Sequence, residues 1–225
     1  MYPLILNNFQ YQMEGSVNVE AYNLPDSEIM NSPALFDFCI WRPDSTYIVL
    51  GRANNAETAL YTEKVIQDGL RVLKRPSGGE TVILTPSMAV FSIKFPQTSR
   101  ERPRSVFDKI NSHLISSFES AGIQNLNTKG ISDLSIGNLK IMGSSMYLKN
   151  NTLFYHAVLN VSEDINLISK YLKHPSKEPD YRKGRSHSEF VTSLHKEGYS
   201  ISVSEAEGLI MNALTSLKKS ENYII

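Results

Sequence analysis

Apolar residues fall along this chain in short runs more often than in long helical stripes. Phe36-Asp-Phe-Cys-Ile-Trp41 and Thr46-Tyr-Ile-Val-Leu50 are strand-like and are separated by the turn Arg42-Pro-Asp-Ser45. Gly51-Arg-Ala-Asn-Asn55 breaks the second run, and residues 56–69 then read as a weakly amphipathic helix ended by Gly69. Leu70–Leu73, Thr81–Leu84 and Met88–Ile93 are further strands, the last closed by Pro96. Two segments carry a helical period. From about Ser105, the residues Val106, Ile110, Leu114, Ile115 and Phe118 share one face, with Gly122 as the C-cap. From Ser204, with Glu207 completing a capping box, Leu209, Ile210, Ala213, Leu214 and Leu217 form a second stripe.

Between these helices, residues 126–160 divide into short strands and turns: Asp133-Leu, Lys140-Ile, Ser145–Leu148, Leu153–Tyr155 and Ala157–Val161. Asp164 caps a short helix running to Leu172, and Ser188 begins another. Lys173–Arg185 is polar, basic and broken by prolines, so it reads as a long loop. Strands and helices mix, with short strands adjacent in sequence. That order predicts an α+β fold: a mixed β-sheet flanked by helices.

Composition narrows the classes. The 225 residues suit a single domain over 1–225, its part from about residue 196 reading as a small helical extension. Lys plus Arg equals Asp plus Glu at 23 each, which argues against a nucleic-acid binder with a broad basic footprint. No run reaches membrane-spanning length, and the N-terminus lacks the basic and apolar regions of a secretory leader. The single cysteine, Cys39, excludes an internal disulfide or a cysteine-rich metal site, and it sits in an apolar run as a small hydrophobe would. A reducing, cytoplasmic setting is the expectation.

The candidate chemistry lies in two elements. Arg75-Pro-Ser-Gly-Gly-Glu-Thr-Val82 is a turn whose adjacent glycines free the backbone and let main-chain N–H groups approach an anion. Some sixty residues on, Asn138-Leu-Lys140-Ile-Met-Gly-Ser144 sets a lysine beside a second Gly-Ser turn. A lysine is a mobile point charge suited to phosphate and carboxylate oxygens. The pair predicts a pocket for a phosphoryl or acyl-phosphate group.

Five segments in order carry a resemblance. They are Gly51-Arg52-Ala-Asn-Asn55, Arg75-Pro-Ser77-Gly78-Gly79, Asp133-Leu with Lys140-Ile-Met-Gly143-Ser144, His156-Ala-Val-Leu-Asn160, and Tyr181-Arg-Lys-Gly-Arg-Ser186. Over roughly residues 35–195 the chain resembles the lipoate–protein ligase family, which shares a catalytic core with biotin–protein ligases. The resemblance implies that core without a large C-terminal accessory domain. It implies attachment of lipoate or a related acyl group to an acceptor lysine through an acyl-AMP made from ATP, with Mg2+. Lys140 is the implied catalytic residue. Arg75, Ser77, Gly78, Gly79, Glu80, Thr81, Val82, Ile83, Gly143 and Ser144 are the implied ATP and lipoyl-AMP contacts. Arg52 and His156 would line the substrate pocket, and Asp133 is the candidate for Mg2+. The implied partners are apo lipoyl domains of 2-oxoacid dehydrogenase subunits or the glycine-cleavage H protein, and a separate accessory subunit.

The chain departs from the family pattern where Glu80 replaces a third glycine and where Ile83-Leu84-Thr85 replaces a histidine-containing stretch. Two alternatives therefore stay open: transfer from preformed lipoyl-AMP or an acyl carrier without an activation step, and a non-catalytic acyl- or nucleotide-binding relic. A thioester route through cysteine is disfavoured, because Cys39 lies away from the motifs.

Overall fold

A computed structural model describes residues 16–97 and 102–220. Its strands form two sheets. The smaller holds β1 (Val19–Ala21), β4 (Arg71–Lys74), β3 (Tyr47–Leu50) and β5 (Val82–Leu84), in that order. The larger runs β2 (Asp37–Trp41), β6 (Met88–Pro96), β10 (Thr152–Asn160), β9 (Leu139–Lys149), β8 (Asp133–Ile136) and β7 (Leu126–Lys129). The expected mixed pairing is confined to the smaller sheet, where β4 runs parallel to β1 and β3; every pair in the larger sheet is antiparallel.

The larger sheet has two unlike faces, because successive side chains alternate across a strand. Phe91, Ile93, Tyr155 and Leu159 point to one face and join a core with Ile110, Leu114, Phe118, Ala213, Leu214 and Leu217. Those last residues belong to α3 (Pro103–Ser120) and α6 (Val203–Ser220), which pack on each other over the sheet. The intervening positions Met88, Val90 and Val158 pack instead against residues of the smaller sheet. The site lies between the two sheets.

The helix expected over 56–69 is two pieces, α1 (Ala56–Ala59) and α2 (Thr62–Gln67). Tertiary pairing breaks it: Leu60 is fully buried and bridges Leu172, while the Tyr61 N–H donates to the Tyr171 carbonyl at 2.9 Å. Tyr171 ends α4 (Ile165–Tyr171), capped by Asp164 as the sequence predicts. Gly69 does end the segment, with φ of +62°. Gly122, at φ +88°, closes α3 in a Schellman arrangement, with the Ile123 N–H on the Phe118 carbonyl and the Gly122 N–H on that of Glu119.

The capping box of α6 sits two residues before the expected Ser204, at Ser202 and Glu205: the Ser202 N–H donates to Glu205 Oε2 and the Glu205 N–H to Ser202 Oγ. The sequence Ser202-Val-Ser-Glu205 offers the same spacing, so Ser204 falls inside the helix. Likewise α5 (His187–Phe190) begins at Ser186, whose N–H donates to Glu189, rather than at Ser188. The fragments expected over 139–160 merge into two long strands. Asn150 and Asn151, both at positive φ (51° and 58°), make the two-residue turn between Lys149 and Thr152, and a tight hairpin needs that conformation at both positions.

Candidate active site

The double-glycine loop is not a hairpin. β3 lies between β4 and β5, so residues 75–81 must arch over its end at Leu50-Gly51. The arch is knitted by the Arg75 N–H to the Leu50 carbonyl (3.0 Å) and the Arg52 N–H to the Ser77 carbonyl (2.9 Å). It passes so near that a Cβ on Gly51 would stand 1.9 Å from the Gly79 carbonyl oxygen, so position 51 has no room for a side chain. Gly79 itself has φ of +85°, a conformation that L side chains rarely adopt.

Arg75, buried under the arch, donates four hydrogen bonds: to Ser77 Oγ (3.0 Å), to the Val49 carbonyl (3.0 Å), and to the carbonyls of Gly78 and Glu80 (2.8 Å each). Burial pulls its pKa down to about 10, which still leaves it charged near neutral pH. As found, its guanidinium holds the carbonyls of the loop inward. The backbone N–H groups from Ser77 to Glu80 hydrogen-bond to none of the described residues, and of these four positions Gly79 and Glu80 stand at the cavity described below. Consecutive main-chain N–H groups without carbonyl partners form a cradle suited to an anion.

The Gly79–Glu80 end of that cradle faces a cavity of about 1120 Å³ between the sheets. Gly79, Glu80, Thr81, Val82 and Ile83 line one side of it. Lys140, Gly143, Ser144, Ser145 and His156 line the other. Ser77 and Gly78 lie behind the wall, Ser77 fully buried.

Lys140 reaches the cavity by lying across Gly143. A Cβ there would meet the Lys140 Cε at 2.9 Å and Nζ at 3.0 Å, which is why the motif needs glycine three residues on; the Gly-Ser turn expected here is instead part of the continuous strand β9, paired with β10. The Nζ pairs with Asp133 Oδ1 at 2.7 Å, with side-chain exposures of 29% and 8%. The ammonium is therefore held at the cavity wall and does not wave in solvent. The other Asp133 oxygen accepts from the Tyr181 hydroxyl at 2.8 Å. Burial and the neighbouring Asp133 push the Tyr181 pKa upward, so it stays a donor.

With both oxygens committed, Asp133 is a poor Mg2+ ligand as it stands. Among the described residues no group of three or more His, Cys, Asp or Glu side chains is placed to hold a metal. The donor set does not fit a protein-held Mg2+.

The remaining positions divide. Arg52 is exposed and does not line the cavity, a correction to its expected place in the substrate pocket. The tight passage of the arch over Gly51 uses its backbone N–H and leaves its side chain outside. Ser144 Oγ donates to the Ser132 carbonyl at 2.7 Å, and it is Ser145 Oγ that meets the glycine loop, donating to the Gly78 carbonyl at 2.8 Å. His156 Nε2 lies 2.7 Å from Ser77 Oγ. Burial first, and the Arg75 charge second, push the His156 pKa down to about 3, so the ring is neutral.

Glu80 does not confront the cradle as a bare charge. Its carboxylate accepts from Asn54 Nδ2 (3.3 Å), Ser176 Oγ (3.3 Å) and the Lys177 N–H (3.1 Å). It thereby pins the segment expected to be a solvated loop, Lys173–Arg185, to the cavity rim. Arg185 bonds the Asn138 and Tyr181 carbonyls, and Arg182 stacks over Phe190 at 4.8 Å. Cys39 lies on β2, half-buried and outside the cavity lining, with its thiol pKa raised by burial.

Asn54, Ser145 and Tyr181 are the site residues that sequence reasoning left off its list. All three stand inside or beside quoted motifs, and that adjacency was the available signal. Asn54 organises the rim, its Oδ1 accepting from the Gly51 N–H and from Thr81 Oγ1.

The family description for the lipoyl protein ligase A/B catalytic domain matches residues 21–215, and the chain belongs to that family. It is 30% identical over 183 residues to lipoate-protein ligase A of Blochmanniella floridana, spanning 79% of this chain and 51% of the relative. It is 27% identical over 151 residues to lipoate–protein ligase 1 of Staphylococcus aureus, spanning 67% of this chain and 43% of that protein. The chain thus spans about half the length of the curated relatives it matches. Among solved structures, it resembles a bi-partite lipoate protein ligase from Thermoplasma acidophilum with a TM-score of 0.75 at 19% identity, covering 90% of this chain and 84% of that one. A lipoate-protein ligase A bound with ATP gives 0.73 at 18%, covering 90% and 84%. These structural likenesses establish the shared fold.

Proposed function

We propose that this chain, as one catalytic domain, attaches lipoate or a related medium-chain acyl group to a lysine of an acceptor lipoyl domain, using ATP through an acyl-AMP. The observation that carries the reading is the convergence of the Gly79 and Glu80 backbone, whose N–H groups have no partner among the described residues, and the Lys140 ammonium on one cavity. A carboxylate is a poor acyl donor. Its oxygen attacks the α-phosphorus of ATP, a P–O bond forms, and the bond to the β-phosphate breaks to release pyrophosphate. The acceptor amine then attacks the acyl carbon; C–N forms, C–O to AMP breaks, and the amine proton passes to water. Both steps gather negative charge on phosphoryl and carbonyl oxygens, where preorganised N–H groups and a held ammonium are most effective. Alignment of the reactants supplies several kcal/mol more.

Lipoate and ATP as ligands are supported by two structures that share the fold, one with bound lipoic acid and one bound with ATP. Acceptors would be apo lipoyl domains of 2-oxoacid dehydrogenase subunits or the glycine-cleavage H protein, in the cytoplasm. The bi-partite structural neighbour, described with its E2 lipoyl domain, supports both that acceptor class and a separate accessory subunit. No helix among the described residues is long and apolar enough to cross a membrane. Glu80 favours a second reading, transfer from preformed lipoyl-AMP without activation, because a carboxylate stands on the rim of the phosphate cradle.

One assay decides. The chain is incubated with lipoate, Mg-ATP and an apo lipoyl domain, and the domain is weighed by mass spectrometry. An ATP-dependent gain of one lipoyl group is the expected result. A gain only from supplied lipoyl-AMP selects the second reading, and no gain from either defeats both.

A further inference from the structure

Hydrogen-bond bookkeeping around Ser77 fixes the state of His156. Arg75 Nε carries a proton and nothing else, so it donates to Ser77 Oγ. Ser77 is wholly buried, and its own proton has one acceptor in reach, His156 Nε2 at 2.7 Å. Had His156 donated instead, the buried Ser77 hydroxyl would be left with an unused proton, which costs about 1–3 kcal/mol. The Nε2 lone pair is therefore occupied, and the proton of the neutral ring sits on Nδ1.

Nδ1 has no partner among the described residues, and unlike the sealed amide of Asn160 it is open to the cavity that His156 lines. His156 stands opposite Ser145 on β9, while Gly143, over which Lys140 lies, stands opposite Val158 two residues along the same face. The glycine loop touches this face through Ser145. The ring thus adjoins both halves of the site.

We propose that His156 acts as a neutral hydrogen-bond donor, offering Nδ1–H to the carbonyl or phosphoryl oxygen of the activated acyl group, and that Ser77 is the positioning residue that holds this tautomer. It does not serve as the base that takes a proton from the acceptor amine: one nitrogen is protonated and the other is engaged. A neutral imidazole donor polarises a carbonyl without adding charge to the ground state. This assignment rests on the ligase reading for its substrate, but the tautomer itself does not.

The test has a spectroscopic arm and a kinetic arm. In the full chain labelled with 15N-histidine, the His156 signals are identified by their loss in His156→Asn. Nδ1 should show a pyrrole-type shift and Nε2 a pyridine-type shift without any ligand present. Ser77→Ala should abolish that preference, and Ser77→Thr should restore it. Transfer from synthetic lipoyl-AMP should survive within about tenfold in His156→Asn, whose amide can place a donor near Nδ1, and fall about 100-fold in His156→Gln, whose amide reaches toward Nε2; loss of one such donor is of order 10²–10³ in kcat. A pyridine-type Nδ1, or an Asn variant no better than the Gln variant, overturns the proposal. The predicted tautomer in a wild-type chain that transfers nothing from lipoyl-AMP would support the Ser77 assignment and defeat the ligase reading instead.

Discussion

The two faces of the larger sheet are made by the same strands and differ in almost everything else. On β10, Tyr155, Ala157 and Leu159 are buried under α3 and α6, whereas His156, Val158 and Asn160, one step out of phase, look toward the smaller sheet. The first face holds the chain together by apolar packing. The second also packs Met88, Val90 and Val158 against the smaller sheet, but beside them it carries ionisable and amide groups whose burial costs stability unless partners satisfy them. The contrast teaches that a one-residue alternation separates what keeps this protein folded from what it does, so the two can be perturbed independently.

The hardest blow to that separation should come from the helix-covered face. Phe91→Ala removes a fully buried ring and should cost about 3–5 kcal/mol of stability in denaturant titrations. Transfer activity per folded molecule should hardly change; if it collapses in the still-folded fraction, the faces are coupled. Next comes Lys140→Ala on the cavity side. It should lower acyl transfer per folded molecule about 100-fold, since an ammonium aimed at developing charge is worth a few kcal/mol in the transition state, and it should also lower the unfolding midpoint, because the buried Asp133 loses its cation. Retained activity would remove Lys140 from the mechanism.

Glu80→Gly sharpens the comparison within the cavity face. Losing the carboxylate frees Ser176 and Lys177, so backbone exchange in 173–185 should quicken about tenfold. Adenylation measured by pyrophosphate release should rise, and an unchanged rate would clear Glu80 of any influence on activation.

A fourth comparison is a matter of pH. His156 has a folded pKa of about 3 against an ordinary value of about 6.5. A lowered pKa means that the unfolded chain binds the proton first. The stability this group contributes is complete above about pH 6.5 and drains away as pH falls toward 3. His156→Gln should flatten the acid limb of the stability profile in that window and leave it alone above.

Where the candidate site is built from neighbours in sequence, its parts were legible there. Gly79, the Lys140–Gly143 spacing and the Asp133 segment each announce a local backbone need, and all line the cavity. What stayed hidden depends on distant parts meeting. The sequence holds no sign that Ser77 would reach His156, or that Glu80 would tie down Lys177, because the first contact joins the two sheets and the second joins segments 97 residues apart. Arg52 illustrates the converse: its motif is real, but the peptide N–H is the part in use. The split of the 56–69 helix has the same origin, since Leu60 gains a bridge to Leu172 that no local propensity encodes.

The asparagine turn at 150–151 has a consequence for how the molecule comes together. Strands β7 to β10 are neighbours both along the chain and in space, so their zipping closes only short loops. The other sheet must recruit Val19 to Val72 across a long intervening stretch, an entropically slower errand. The meander is thus expected to form as a platform, with its partner arriving afterward, and the chamber between them exists only from that moment on.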